Sequence, residues 1–232
     1  MVAIIEKTLK TMMHASNVML NIPQLRLHQR LGKLLPKPLQ RSLFLVSGSD
    51  SIEGAIDLAR KATGGVDVLG MHAGLHGSTS YLTRSLSFNW DRHRHSIVAP
   101  ATSAILAPYC YRCPLKLKFP SCDIQCLTTS LELADANFTS KPAAFIGEPI
   151  LSAGGVIVPQ DDYFQRIREI CDQYDVLLVS DEVLTGFGRT GRMWGLEHWG
   201  VEPDMIQYAK AITSGYFPLG GTGVSCPVGI SA

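Results

Sequence analysis

Residues Leu177–Lys210 read LLVSDEVLTGFGRTGRMWGLEHWGVEPDMIQYAK, and this stretch decides how the rest of the chain is read. An apolar run, Val176–Val179, ends in Ser180-Asp181-Glu182. A glycine-punctuated loop follows, then a short helical segment, then a second apolar run, Asp204–Ala209, that ends in Lys210. Apolar runs of this kind, without polar alternation, suit strands covered on both faces. Each carries one ionisable residue at its carboxyl end, which is where a parallel sheet receives a ligand.

Working outward, strand and helix alternate at least four times. Val2–Met13 and Leu25–Leu35 have apolar residues at helical spacing, separated by Asn21-Ile22-Pro23, and Pro36 and Pro38 close the second. A strand is expected at Leu43–Val46. The tight turn Ser47–Asp50 leads into a helix, Ser51–Thr63, with Ile52, Ala55, Ile56 and Ala59 on one stripe and Gly64-Gly65 at its end. Val66–Met71 is the next strand, and the loop HAGLHGST opens another helix. Residues 89–125, rich in Pro, Cys, Arg and aromatics, read as an irregular excursion. Leu127–Asn137 is helical, Ala143–Gly147 is a strand running into Glu148-Pro149, and Tyr163–Tyr174 is helical. Gly220–Ser225 begins a further strand. The expectation is an α/β fold, a mostly parallel sheet flanked by helices. Residues 1–40 would be a helical segment packing on a core formed by residues 41–232.

Composition narrows the function classes. The 232 residues are 46% hydrophobic and 18% charged with net charge +1, which is ordinary globular composition. Basic residues form no patch for nucleic acid or an anionic membrane surface. No apolar run approaches the ~20 residues of a membrane helix. Six cysteines without a signal-peptide pattern suit a reducing compartment, and a cytoplasmic enzyme is expected.

Several residues carry chemistry. Ser47, Gly48 and Ser49, between a strand and an amphipathic helix, place backbone N–H groups and two hydroxyls where a phosphate binds, or else simply cap the helix. His72 and His76 are loop histidines or metal ligands, with no accompanying carboxylate spacing. Asp181, partly buried at a strand end, needs a cationic partner, either a protonated ring nitrogen or Arg189 or Arg192. Lys210 is either a snorkelling strand-end lysine or, if desolvated, a nucleophilic amine. Acid and amine at the ends of consecutive strands can share one cofactor, the acid on a pyridine nitrogen and the amine on an aldehyde. That is the arrangement pyridoxal phosphate requires. Cys110, Cys113, Cys122 and Cys126 form C-x2-C-x8-C-x3-C, a spacing that can hold zinc or can be four free thiols. No metal is assigned to the site itself.

Taken in order, SGSDSIEGAIDLARKATG, the His76-Gly77 pair, AAFIGEPILSAGGVIVP, LLVSDEVLTGFGRTG and PDMIQYAKAITSGYFPLGG resemble the class III pyridoxal-phosphate-dependent aminotransferases, and within them the branch of 2,2-dialkylglycine decarboxylase. The resemblance implies the large domain of a fold-type I transferase acting as a homodimer, with an amino donor and a 2-oxo acid as substrates. It implies that Ser47, Gly48 and Ser49 bind the phosphate, Asp181 the pyridine nitrogen, and that Lys210 forms the Schiff base and moves the proton at substrate Cα. Glu148 lies toward the substrate side, and His76 and Gly77 lie against the ring. Three positions depart from the family. Leu75 stands where an aromatic residue usually stacks, Leu184 where a Gln reaches the ring oxygen, and Ala153 where the decarboxylase has Ser. Leu75 forgoes a stacking preference on the order of 1 kcal/mol, and Ala153 favours plain transamination. Family members also carry a further N-terminal segment and a C-terminal small domain with a carboxylate-binding arginine. The expectation is a chain truncated at both ends and lacking that small domain, with a catalytically silent homologue as the alternative reading.

Overall fold

The computed structural model describes residues 1–12, 14–16, 19–87 and 98–225. Met13, the 89–97 part of the expected excursion, and residues 226–232 with Cys226 lie outside the described residues.

Among the described residues seven strands form one sheet: β1 (Leu39–Leu45), β2 (Asp67–Met71), β3 (Thr102–Ile105), β4 (Pro142–Gly147), β5 (Leu177–Asp181), β6 (Met205–Tyr208) and β7 (Gly220–Ser225), in the order β1-β7-β6-β5-β4-β2-β3. Parallel registers join the middle of the sheet, with Ile146 beside Val179 and Asp181 beside Gln207. β7 runs against both neighbours, pairing Gly221 with Tyr208 of β6 and Gly220 with Leu45 of β1. Six strands therefore point one way and β7 the other, so the sheet is α/β and mostly parallel.

Alternate residues of each inner strand feed opposite faces. On one face, α3 (Gly48–Thr63) packs Ile52, Ala55, Ile56 and Ala59 against Val68, Ala144, Ile146, Val179 and Met205. On the other, α5 (Gln125–Asp135) and α6 (Tyr163–Tyr174) pack Leu127, Phe164 and Ile167 against Leu69, Met71, Phe145 and Leu178. A third cluster lies under α2 (Ile22–Leu34), where Leu31 and Leu35 meet Trp194, Ile206 and Tyr208. The Trp194 Nε1–H donates to the Leu34 carbonyl at 2.8 Å. Each such buried side chain contributes about 2 kcal/mol, so the loops at the sheet edge rest on a fixed frame.

The differences from the sequence reading are local. α2 begins at Ile22 because Asn21 accepts the Gln24 N–H at 2.9 Å and Pro23 sits in the first turn, where no N–H partner is needed. What reads as a break is the start of the helix. β1 begins at Leu39, not Leu43, since it is an edge strand with Gln40 and Arg41 in water and no apolar pattern to announce it. β3 lies inside the stretch expected to be irregular and pairs in parallel with β2, Met71 beside Ile105. α1 (Val2–Leu9) stops short of Met13 and buries none of its residues. α4 (Tyr81–Leu86) is the short helix after HAGLHGST, capped by Ser80. Among the described residues no helix is long and apolar enough to cross a membrane.

Candidate active site

The six co-directional strands all end on the same edge of the sheet, and the segments that leave β1, β2, β5 and β6 line an open cavity of about 390 Å³. Ser47, Gly48, Ser49, His76, Asp181 and Lys210 all line it, as do Leu75 and Val183. Eight residues singled out in the sequence, Gly77 among them, thus meet although the chain separates the first from the last by most of its length.

The α3 end is shaped by its cap. Ser47 is the N-cap: its Oγ accepts the Asp50 N–H at 3.2 Å and donates to the Asp50 carboxylate at 2.8 Å. The remaining first-turn N–H groups have no partner within the helix, and the dipole makes this end attractive to an anion. Ser49 Oγ accepts the Ser78 N–H at 3.2 Å, tying the turn to the loop after β2. Gly48 is required by close approach, because a Cβ there would lie 2.9 Å from a Val183 methyl. Gly77 has φ +139°, and a Cβ on it would meet Ser49 Oγ at 2.5 Å.

Asp181 ends β5, buried, with both oxygens engaged. Oδ2 meets His76 Nδ1 at 2.7 Å and Oδ1 accepts the Val183 N–H at 3.1 Å. The side chain beside Asp181 on this chain is therefore His76, and neither Arg189 nor Arg192; Arg189 Nε instead donates to the Leu184 carbonyl at 2.9 Å. Burial of His76 opposes its charged form, but the hydrogen bond and charge of Asp181, with the charge of Glu148, outweigh burial and raise its pKa. Its backbone N–H is fixed by Ser87 Oγ at 2.9 Å, while its buried Nε2 has no hydrogen-bond partner.

Glu148 is buried behind the cavity, not on its wall. Oε1 accepts the Leu75 N–H at 2.8 Å and Oε2 accepts the Ser152 N–H at 3.1 Å and hydroxyl at 2.7 Å. Burial, followed by the nearby Asp181 charge, raises its pKa. Leu184 is half-buried and absent from the cavity lining. Lys210 reaches the cavity but is exposed, at φ 44°, so this chain does not supply the desolvation that the strand-end reading invoked. Val183, Ser78 and Thr79 line the cavity without having been expected. For Val183 the signal was its place two residues after a strand-end acid.

The cavity thus offers an anion site at a helix end, a buried carboxylate for a cation and a primary amine for a carbonyl. The profile of the family described as Aminotransferase class-III matches residues 1–228. The chain is 34% identical over 223 residues to the acetylornithine aminotransferase of Methanocaldococcus jannaschii, an alignment covering 93% of this chain and 50% of that protein. It is 35% identical over 213 residues to the putrescine–pyruvate aminotransferase of Pseudomonas aeruginosa, covering 86% and 45%. Among solved structures, an (S)-enantioselective omega-transaminase from Thermomicrobium roseum matches with TM-score 0.89 at 32% identity, over 99% of this chain and 53% of that one. An amine transaminase from an uncultivated Pseudomonas species, solved in its PLP-bound form, matches with TM-score 0.89 at 33% identity, over 99% and 54%. The chain spans about half the length of the curated relatives it matches.

Proposed function

The chain belongs to the class III aminotransferase family, and on that footing we propose that it is a pyridoxal-phosphate-dependent aminotransferase, moving an amino group between an amino acid or amine and a 2-oxo acid. One observation carries the reading: the Ser47–Ser49 turn, Asp181 backed by His76, and Lys210 share one cavity. When bound, the cofactor supplies the electron sink that stabilises negative charge at substrate Cα.

The chain's own residues do the rest. The N-terminal turn of α3 takes the phosphate through backbone N–H groups, with Ser47 and Ser49 holding the turn in shape. Asp181 would hold a proton on the ring nitrogen, and His76 fixes the direction of its carboxylate. Lys210 Nζ would hold the cofactor's aldehyde carbon and would carry the proton at substrate Cα. Leu75, positioned through its N–H by Glu148, would offer the ring an aliphatic surface. Leu184 brings no polar group to the cavity.

The experiment is direct. The protein incubated with pyridoxal phosphate and freed of excess should be yellow, and Lys210→Ala should lose that visible band. A colourless wild-type protein overturns the proposal and favours a silent homologue. The segments AAFIGEPILSAGGVIVP and LLVSDEVLTGFGRTG support the dialkylglycine-decarboxylase-like branch. Ala153, exposed and without a hydroxyl beside Ser152, supports transamination without decarboxylation. Carbon dioxide release from a 2,2-dialkylglycine should be absent, and release at the rate of transamination would reverse that assignment.

We also infer a homodimer. Val46, Leu75 and Phe217 line the cavity mouth with 67%, 38% and 62% of their surfaces exposed, an apolar rim that a second copy would cover. A cytoplasmic setting fits the free thiols of Cys110, Cys113, Cys122, Cys126 and Cys171.

A further inference from the structure

The sheet face under α5 and α6 is not fully closed. α5 packs chiefly on β3 and α6 on β5, and two strands, β4 and β2, lie between them. Three strand spacings amount to roughly 14 Å, whereas helices packed side by side approach to about 8–10 Å. The helices therefore stand apart, and the gap between them is a cavity of about 560 Å³. Leu69 of β2 and Phe145 of β4 form its floor, and Leu131 of α5 and Ile170 of α6 its walls. Lys141 and Val176 place it toward the edge where β4 and β5 begin, and it shares no lining residue with the Lys210 cavity. Its size and apolar interior suit a small organic molecule. The cysteine-rich excursion offers no comparable site: among the described residues no group of three His, Cys, Asp or Glu could hold a metal ion.

The mouth of this cavity is polar and its charge is negative. Glu132 and Asp135, one turn apart on α5, are exposed there, and neither has an ion-pair partner among the described residues. Lys141, the basic residue beside them, is paired with Asp175 at 2.5 Å. Phe138 and Tyr174 also line the mouth, and among the described residues neither ring stacks on another. Carboxylates and unstacked aromatic rings are the partners that hold an organic ammonium ion. The walls are fixed by the protein's own bonds. Asp67 Oδ2 accepts the Thr139 N–H at 3.1 Å and the Ser140 N–H at 2.8 Å, which pins the turn carrying Phe138. The Val176 N–H donates to the Cys171 carbonyl at 2.9 Å, which pins the end of α6 beside Tyr174. A site shaped in advance avoids the ordering cost of binding.

We propose that the cavity between α5 and α6 is a second ligand site, separate from the Lys210 cavity, for a small amphipathic organic cation. The ammonium head would sit at Glu132 and Asp135 with Phe138 and Tyr174 beside it, and an aromatic or aliphatic body would lie on Leu69, Leu131, Phe145 and Ile170. A neutral ligand of the same shape gains only the burial of its body. A carboxylate-headed one meets two like charges at the mouth. The attraction at the head acts between solvent-exposed charges and weakens with salt, whereas burial of the body does not.

The test compares phenylbutyl probes that share one body and end in trimethylammonium, hydroxyl or carboxylate. The quaternary nitrogen cannot condense with an aldehyde, so the chemistry proposed for Lys210 does not contribute. Titration calorimetry of the chain at low salt should give about one ammonium per chain, bound about tenfold more tightly than the alcohol, with the carboxylate weakest. Glu132→Gln/Asp135→Asn should erase that preference and leave the affinity for the alcohol as it was. Ile170→Trp should abolish binding of both. Because a bulky residue can also disturb α6, the unaltered chain supplies a second measurement. A nitroxide-bearing ammonium probe should broaden the NMR signals of the Leu131 and Ile170 methyl groups and spare those of Val46 and Val183 at the other cavity. No heat of binding at millimolar ammonium, an alcohol bound as tightly as the ammonium, or a preference that survives the double variant would each overturn the site. So would broadening at Val46 and Val183 instead, or a shift toward monomer on binding, the sign that a second copy covers the cavity.

Discussion

Asp181 is held at both oxygens, by His76 Nδ1 at 2.7 Å and the Val183 N–H at 3.1 Å, so its direction is set by the protein alone. The His76 pKa is raised in the folded state, chiefly by Asp181 against the opposing effect of burial. Raised folded-state affinity for a proton means that the pair's stabilisation is complete below the unfolded value of about 6.5 and is lost as pH rises through the folded value. Asp181→Asn should therefore lower unfolding free energy by about 2–3 kcal/mol at acidic pH, with the deficit shrinking above neutrality. Urea titrations of both proteins at several pH values check this, and parallel pH profiles would contradict it. On the aminotransferase reading, the activity of the variant should fall about 100-fold, the loss of roughly 2.7 kcal/mol of transition-state stabilisation. At this scale the sequence shows Asp181, Lys210 and Ser47–Ser49, because an ionisable or capping residue at a strand end is a local pattern. The His76–Asp181 pair spans 105 residues and has no local pattern. Only the shared edge of the sheet unites it.

Glu182 shows how an element is fastened rather than how a reaction is run. Its buried carboxylate accepts the N–H groups of Gly195 at 2.8 Å and Leu196 at 2.9 Å and bonds the Thr185 hydroxyl, joining the loop after β5 to the 3-10 segment Gly195–Trp199. Burial raises its pKa, so those donors offset a real desolvation cost. Glu182→Ala would strand two buried N–H groups and should destabilise the fold by about 2–4 kcal/mol, read by chemical denaturation. A change within about 0.5 kcal/mol would mean that the segment stands without it. Elements with strong periodicity were legible: α6 spans Tyr163–Tyr174 as its pattern predicts, and β5 and β6 fall on the two apolar runs. β3 was not, because Thr102–Ile105 is four residues long and its strand character comes from pairing with β2 rather than from its own composition. β1 was misjudged for a related reason, since an edge strand need not alternate.

For the whole molecule, the decisive surface is the one around the cavity mouth. Val46, Leu75 and Phe217 form an apolar rim there, and Tyr216 beside Phe217 is 60% exposed. In the homodimer reading, Val46→Ser/Phe217→Ser should shift the protein toward monomer in analytical ultracentrifugation while leaving the unfolding transition nearly unchanged. Equal self-association in both proteins would place the dimer contact elsewhere. The α/β class was legible from alternating patterns, whereas the strand order was not, since pairing between distant strands leaves no mark on either one alone. That order has a consequence for how the protein is made. Among the described strands β1 is bonded only to β7, which is nearly the last stretch of described chain to be synthesised. At the ribosome β1 must wait, its amides facing water, until Gly220–Ser225 emerges and slides between it and β6. The same insertion closes the connection that starts at Lys210 and draws the lysine toward the turn that follows β1. Sheet closure and binding competence would then be a single late event, and a nascent chain caught before it would have each side chain proposed for the cavity and no cavity.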